Sequence, residues 1–168
     1  MARTDPPQPP PFQRKIIIGR VQAIGVGVLC LIVIAAVAGL LGLKPGHARA
    51  AGAGLEVEVQ YPRILRYKTS LPLEIRIRNT AGQALANVEV QIARPYLDGF
   101  QDVHVTPGAR EITERHYRVV LDQLPAGETR EVVTWLEAQR SGRLPASVRV
   151  SVAAQPPLDL HWSTTVLP

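Results

Sequence analysis

The chain has a single cysteine among its 168 residues, and Cys30 lies inside an uncharged run near the N-terminus, away from the body of the protein. Everything after residue 50 is therefore without disulfides or Cys-based metal centres. Aromatic residues make up only 5% of the chain, so a core has to be assembled mainly from aliphatic side chains. Glycine-rich phosphate loops and haem-attachment motifs are missing. Arg140-Ser141-Gly142 is no nucleophile elbow, because it lacks the glycine two positions before the serine.

The four histidines, His47, His104, His116 and His161, show no zinc-ligand spacing with a third ligand near. Asp98 and Asp102 bracket Gly99-Phe100-Gln101 without the oxygen-rich pattern of a calcium loop. We expect no catalytic residues, no metal site and no cofactor; the chain reads as a non-enzyme.

Charge is also missing where a nucleic-acid binder would need it. The net charge is +5, but residues 1–20 hold +3 of it and residues 44–50 hold +2, which leaves residues 51–168 neutral. A domain that grips nucleic acid needs a basic surface to neutralise phosphates, so no nucleic-acid partner is expected.

The excess charge flanks Val21 to Leu43, 23 residues without Asp, Glu, Lys or Arg. As a helix this run reaches ~34 Å at ~1.5 Å per residue, enough for a hydrocarbon core of ~30 Å. It is expected to be a single transmembrane helix over 21–43, with the lipid bilayer as its first partner. Four Lys/Arg precede it against two just after it, which favours a cytoplasmic N-terminus. The C-terminal domain then faces the periplasm or the cell exterior, tied to the inner membrane.

A secretory signal is the alternative. His47-Ala48-Arg49-Ala50 places small residues for a cut before Ala51, although the apolar run exceeds the ~7–15 residues of a signal core. Ala23 and Gly27, Ala35 and Gly39, and Ala38 and Gly42 are spaced four apart, a pattern that lets a second helix approach closely. Pro6-Pro7-Gln8-Pro9-Pro10-Pro11 gives residues 1–20 the composition of a disordered, polyproline-type tail. Residues 44–54, rich in Gly and Ala, read as a linker.

From Leu55 the hydrophobic period becomes two. Apolar and polar residues alternate through Leu55–Val59, Leu71–Arg78, Val88–Ile92, Val103–Val105, Tyr117–Val119, Val148–Val152 and Leu158–Trp162. Thr129–Ala138 is strand-like with no clear inner face. About eight strands with turn residues between them predict an all-β domain over 55–168, an antiparallel β-sandwich with an immunoglobulin-like layout.

Ile75-Arg76-Ile77-Arg78-Asn79-Thr80-Ala81-Gly82, followed by Ala86-Asn87-Val88-Glu89-Val90, resembles the "V-x-N-x-G … a-N-V-x-V" hairpin of bacterial Ig-like domains of the CARDB type. Leu124-Pro125-Ala126-Gly127-Glu128 and the strand after it resemble their "L-pAGe" turn, and Val148-Arg149-Val150-Ser151-Val152 matches the strand that follows. The resemblance covers roughly residues 55–153. It implies the fold and an adhesive or scaffolding role, and it carries no catalytic residue over. The chain departs from the pattern in having one copy and an extra segment around Pro95 to Arg115.

If strands alternate up and down from a linker ending at Gly54, two aromatic, Arg-containing loops fall at the end remote from the membrane. One contains Tyr61, Arg63, Arg66 and Tyr67; the other contains Tyr96, Leu97 and Phe100. These residue types are favoured at the centre of protein contacts, which makes the loops candidates for binding a partner. The function expected is that of a non-catalytic, single-pass accessory or scaffold subunit, meeting other membrane subunits through both its helix and its exported domain. The runner-up is a stand-alone surface or periplasmic adhesion module.

Overall fold

A computed structural model describes residues 19–37, 45–153 and 155–168, which divide into two units between Gly42 and Leu43. In the first unit, helix α1 runs Arg20–Val37. Its apolar residues surround the whole helix, and large ones such as Val21, Ile24, Leu31 and Ile34 are exposed. Among the described residues, no helix is long and apolar enough to cross a membrane. At ~1.5 Å per residue the 18 residues of α1 reach ~27 Å, short of ~30 Å. Residues 38–43 of the uncharged run lie outside the described residues, as does the expected proline-rich tail over 1–18. Of the small residues expected to pack a second helix, Ala23 and Gly27 lie exposed on α1, and nothing stands within 4 Å of where a Gly27 Cβ would be. Ala35 falls in α1 with its side chain outside the described residues, while Ala38, Gly39 and Gly42 lie outside them altogether.

The second unit is a β-sandwich. In chain order its strands are β1 (Pro45–Gly52), β2 (Leu55–Pro62), β3 (Ile64–Arg66), β4 (Ser70–Asn79), β5 (Leu85–Ala93), β6 (Phe100–Thr106), β7 (Glu111–Ile112), β8 (His116–Leu124), β9 (Thr129–Ala138), β10 (Gly142–Ser151) and β11 (Leu158–Leu167). A four-residue helix, α2 (Arg94–Leu97), follows β5. The first sheet has the order β1-β2-β4-β9-β6 and the second β3-β11-β10-β5-β8-β7. Alternation puts Val57, Val59, Ile75 and Ile77 of one sheet, and Val88, Val90, Val148 and Val150 of the other, in a common fully buried core.

Three features depart from expectation. Among the described residues there are eleven strands where about eight were expected. Most of the expected linker over 44–54 is strand: Pro45–Gly52 is β1, paired antiparallel with β2 over its whole length, while Lys44 lies outside the described residues. Its inward side is Gly46, Ala48, Ala50 and Gly52, with Ala48 and Ala50 packed against the core, so the period-two signal is carried by residues too small to register as apolar. The sheet is not wholly antiparallel either, because β3 pairs parallel with β11. β9 resolves as well: Val132, Thr134, Leu136 and Ala138 point inward.

The hairpin between β1 and β2 closes on Ala53 and Gly54, both at positive φ (54° and 68°). This is the two-residue turn whose twist matches a hairpin. The motif residue Asn79 is fully buried. Its Nδ2 donates to the carbonyls of Gln83 (2.9 Å) and Leu124 (2.8 Å), and its Oδ1 accepts from the Ala81 N–H (2.8 Å). Its backbone N–H donates to Glu128 O (2.9 Å), and its carbonyl accepts from the Gly127 N–H (3.0 Å). One asparagine thus joins the end of β4 to the Leu124–Glu128 turn, with Gly127 at a φ of +76°.

Candidate functional site

The register fixes which loops share an end. Pro45 opposes Pro62 in β1 and β2, so the chain joins the sandwich at the end where β2 finishes. We term this the proximal end. Thr164 Oγ1 donates to the Pro62 carbonyl (2.8 Å). Because that hydroxyl spends its one hydrogen there, the Tyr96 hydroxyl must donate to it across 3.1 Å. The Tyr61 loop and the Tyr96 segment therefore lie together, as their expected pairing requires, but at the proximal end and not the remote one. The reason is β1, since one more strand reverses the direction of every strand after it.

The candidates divide by burial. Tyr96 and Leu97 are 0% and 1% exposed and Phe100 is 7% exposed, so these three are core residues and not contacts. Pro95 in the first turn of α2 supplies a φ suited to helix and needs no N–H partner, and α2 folds Tyr96 inward. There Tyr96 meets Phe100 (centroids 5.0 Å, edge-on) and Trp162 (5.9 Å, edge-on), and Trp162 stacks on Tyr61 (5.3 Å). Burial raises the Tyr96 pKa above its ordinary value. Tyr61 is half-buried and lies over Gly46, where any Cβ would overlap its ring. A large side chain on β2 thus covers a glycine on an edge strand.

What stays outside at the proximal end is Arg63, Ile64, Arg66, Tyr67 and Lys68. A cleft of about 200 Å³ runs beside them, lined by Pro45, Tyr61, Pro62, Ile64, Leu71 and Pro72, with Gln60, Arg63 and Glu74 at its polar margin.

A second exposed aromatic carried no clear signal in the sequence. Trp135 is 54% exposed on the outer face of β9, in register with Pro72 on β4 and His104 on β6. Its neighbours Val133 and Leu136 blurred the alternation of that strand, which is why its outward direction could not be read.

A hollow of about 680 Å³ lies on the outer face of the second sheet and includes Asn87, Glu89, Arg110, Glu111, Arg118 and Ser151. Arg118 bonds both Glu89 and Glu111, which raises its pKa and leaves no unneutralised cation to hold an anion. Among the described residues no group of three His, Cys, Asp or Glu could hold a metal ion. His104 and His161 are exposed.

No protein-family model matches the chain, and no curated protein does. Among solved structures it is similar to the CARDB domain of PF1109 from Pyrococcus furiosus in solution, with 12% identity and a TM-score of 0.48 over 68% of this chain and 94% of that one. It is similar to the crystal structure of the same domain in complex with di-metal ions, at 9% identity and a TM-score of 0.45 over 74% and 90%. The C-terminal domain of wzt is a further likeness, at 13% identity and a TM-score of 0.43 over 76% and 81%.

Proposed function

We propose that this chain is a membrane-anchored, non-catalytic scaffold subunit that presents an Ig-like sandwich on the non-cytoplasmic side of the inner membrane and holds other membrane subunits there. The observation that carries the reading is α1. It is built from the uncharged run, it is apolar on all sides, and its described side chains are exposed. A helix that is apolar all round belongs in a core or a bilayer, and the flanking Arg and Lys residues suit bilayer interfaces.

The sandwich supports a binding role over a chemical one. Its carboxylates and guanidinium groups mostly pair with one another across the strands, as in Arg49–Glu58, Arg76–Glu131 and Arg149–Asp159. Trp135, exposed beside Pro72, is the side chain best suited to anchor a protein partner, because Trp is enriched where binding energy concentrates.

The alternative of release by cleavage before Ala51 is disfavoured by β1. Ala50 pairs with Val57 in mid-strand, so the cut would strip most of β1 and leave the edge of β2 unpaired. The reading is tested by isolating the tagged full chain from gently solubilised membranes and identifying what accompanies it by mass spectrometry. A fixed set of membrane subunits, lost with Trp135→Ala, is expected. Recovery of the chain alone from both versions contradicts the scaffold role.

A further inference from the structure

We propose that the proximal corner of the sandwich docks on the phosphate headgroups of an anionic lipid surface, an inference that rests on the anchored reading above. Parallel register sets Ile64 opposite Thr165 and Arg66 opposite Leu167, and β10 sets Arg143 opposite Thr165. Leu65, Leu144 and Val166 of these strands are buried, so Ile64, Arg66, Arg143 and Leu167 share the outward face. Tyr67 and Lys68 continue from β3. The Lys68 N–H donates to the Ala138 carbonyl (2.9 Å), and its ammonium stands 5.6 Å from the Tyr67 ring centre.

Two properties single this corner out. Among the described residues of the sandwich, Ile64, Tyr67 and Leu167 are three of the five large apolar side chains that are exposed; Ile112 and Trp135 are the others. The cations here also stand apart. Arg49, Arg76, Arg94, Arg110, Arg118, Arg130 and Arg149 each pair with a carboxylate. Among the described residues of the sandwich Arg63, Arg66, Lys68, Arg78, Arg115, Arg140 and Arg143 pair with none, and all of these but Arg78 and Arg115 belong to the strands and turns of this corner.

Unpaired cations among exposed Ile, Leu and Tyr suit a surface of phosphates over an apolar layer. The cations take the phosphates, the tyrosine takes the headgroup level, and the aliphatic tips enter the boundary. The chain joins the sandwich at this same end, so an anchor upstream of Pro45 tethers this end and not the opposite one.

The test uses the full chain mixed with vesicles of neutral phosphatidylcholine, and with the same vesicles containing phosphatidylglycerol. Flotation with the neutral vesicles scores the anchor. Docking is scored separately, by mass-spectrometric rates of arginine and lysine modification. On the anionic vesicles, modification of Arg63, Arg66, Lys68 and Arg143 is expected to slow at least about fivefold, the factor given by the ~1 kcal/mol of one cation at an anionic surface. High salt should reverse this, Arg78 and Arg130 should keep their rates, and Arg63→Glu with Arg66→Glu should abolish the protection without preventing flotation. Equal rates on both vesicles overturn the proposal. Protection seen only in native membranes also overturns it, and points to an acidic protein. Flotation with anionic vesicles alone leaves docking standing and removes the anchor.

Discussion

Asn79 makes three hydrogen bonds from one buried amide, and replacing it by alanine takes the amide donor from two carbonyls and leaves the Ala81 N–H only its longer bond to the Gly54 carbonyl (3.1 Å). Asn79→Ala is expected to cost about 3 kcal/mol, measured as a shift of the urea midpoint with unchanged slope. Ala53 works the other way. It sits at a φ of 54°, a region that costs an ordinary side chain roughly 1–2 kcal/mol and that Asn tolerates. Ala53→Asn should stabilise the sandwich by about 0.5–1 kcal/mol; a loss of stability would show that the turn is not the I′ type. Asn79 was visible in the sequence as part of a motif, although its reach to Leu124 and Glu128 was not, since those contacts join stretches some forty-five residues apart. The strain at Ala53 was hidden because no Asn-Gly or Asp-Gly marks that turn. Tyr96, Leu97 and Phe100 misled for a related reason. Residue type alone cannot separate an aromatic at an interface from one in a core, and only the turn of α2 decides it.

Strand β1 was the element that sequence reasoning missed. Long alternations of Val, Ile and Leu made β2, β4, β5 and β10 legible, whereas Gly46, Ala48, Ala50 and Gly52 alternate with Pro45, His47, Arg49 and Ala51 and leave almost no contrast. The three-residue β3 and two-residue β7 are too short for any period. β1 is held by its ladder to β2 and by an outer pair: the Arg49 guanidinium donates to Glu58 at 2.8 Å, and His47 Nδ1 stands 3.4 Å away. The hydrogen bond from Arg49 is the main cause holding the Glu58 carboxyl below its ordinary value. A carboxyl with a lowered folded pKa stabilises above its unfolded pKa of ~4.3 and loses that contribution as pH falls through the lower folded value. Thermal melts between about pH 3 and pH 6 should therefore fall more steeply on the acid side for the native chain than for Glu58→Gln. Parallel curves would show that the pair does not tie β1 down. Removing residues 1–50 should leave a domain that melts lower and associates through the bared edge of β2, checked by calorimetry and light scattering. A truncated domain as stable as the full chain would restore 44–54 to the status of a linker.

At the scale of the molecule, charge and polarity divide the chain into a basic, apolar N-terminal part and a sandwich that is neutral from residue 51 onward. That division was legible from composition, and the existence of the sandwich from its period of two. Its orientation was not legible, because counting strands from Leu55 instead of Pro45 reverses which end carries Tyr61 to Lys68. The surface that looked like a far tip is the end at which the chain joins the domain. The scaffold account needs the two parts to remain one chain in the membrane. The direct measurement is alkaline carbonate extraction of native membranes followed by the intact mass of this protein in pellet and supernatant. The account predicts one species in the pellet that retains residues 21–43 ahead of the sandwich. A soluble species beginning at Ala51 would contradict it.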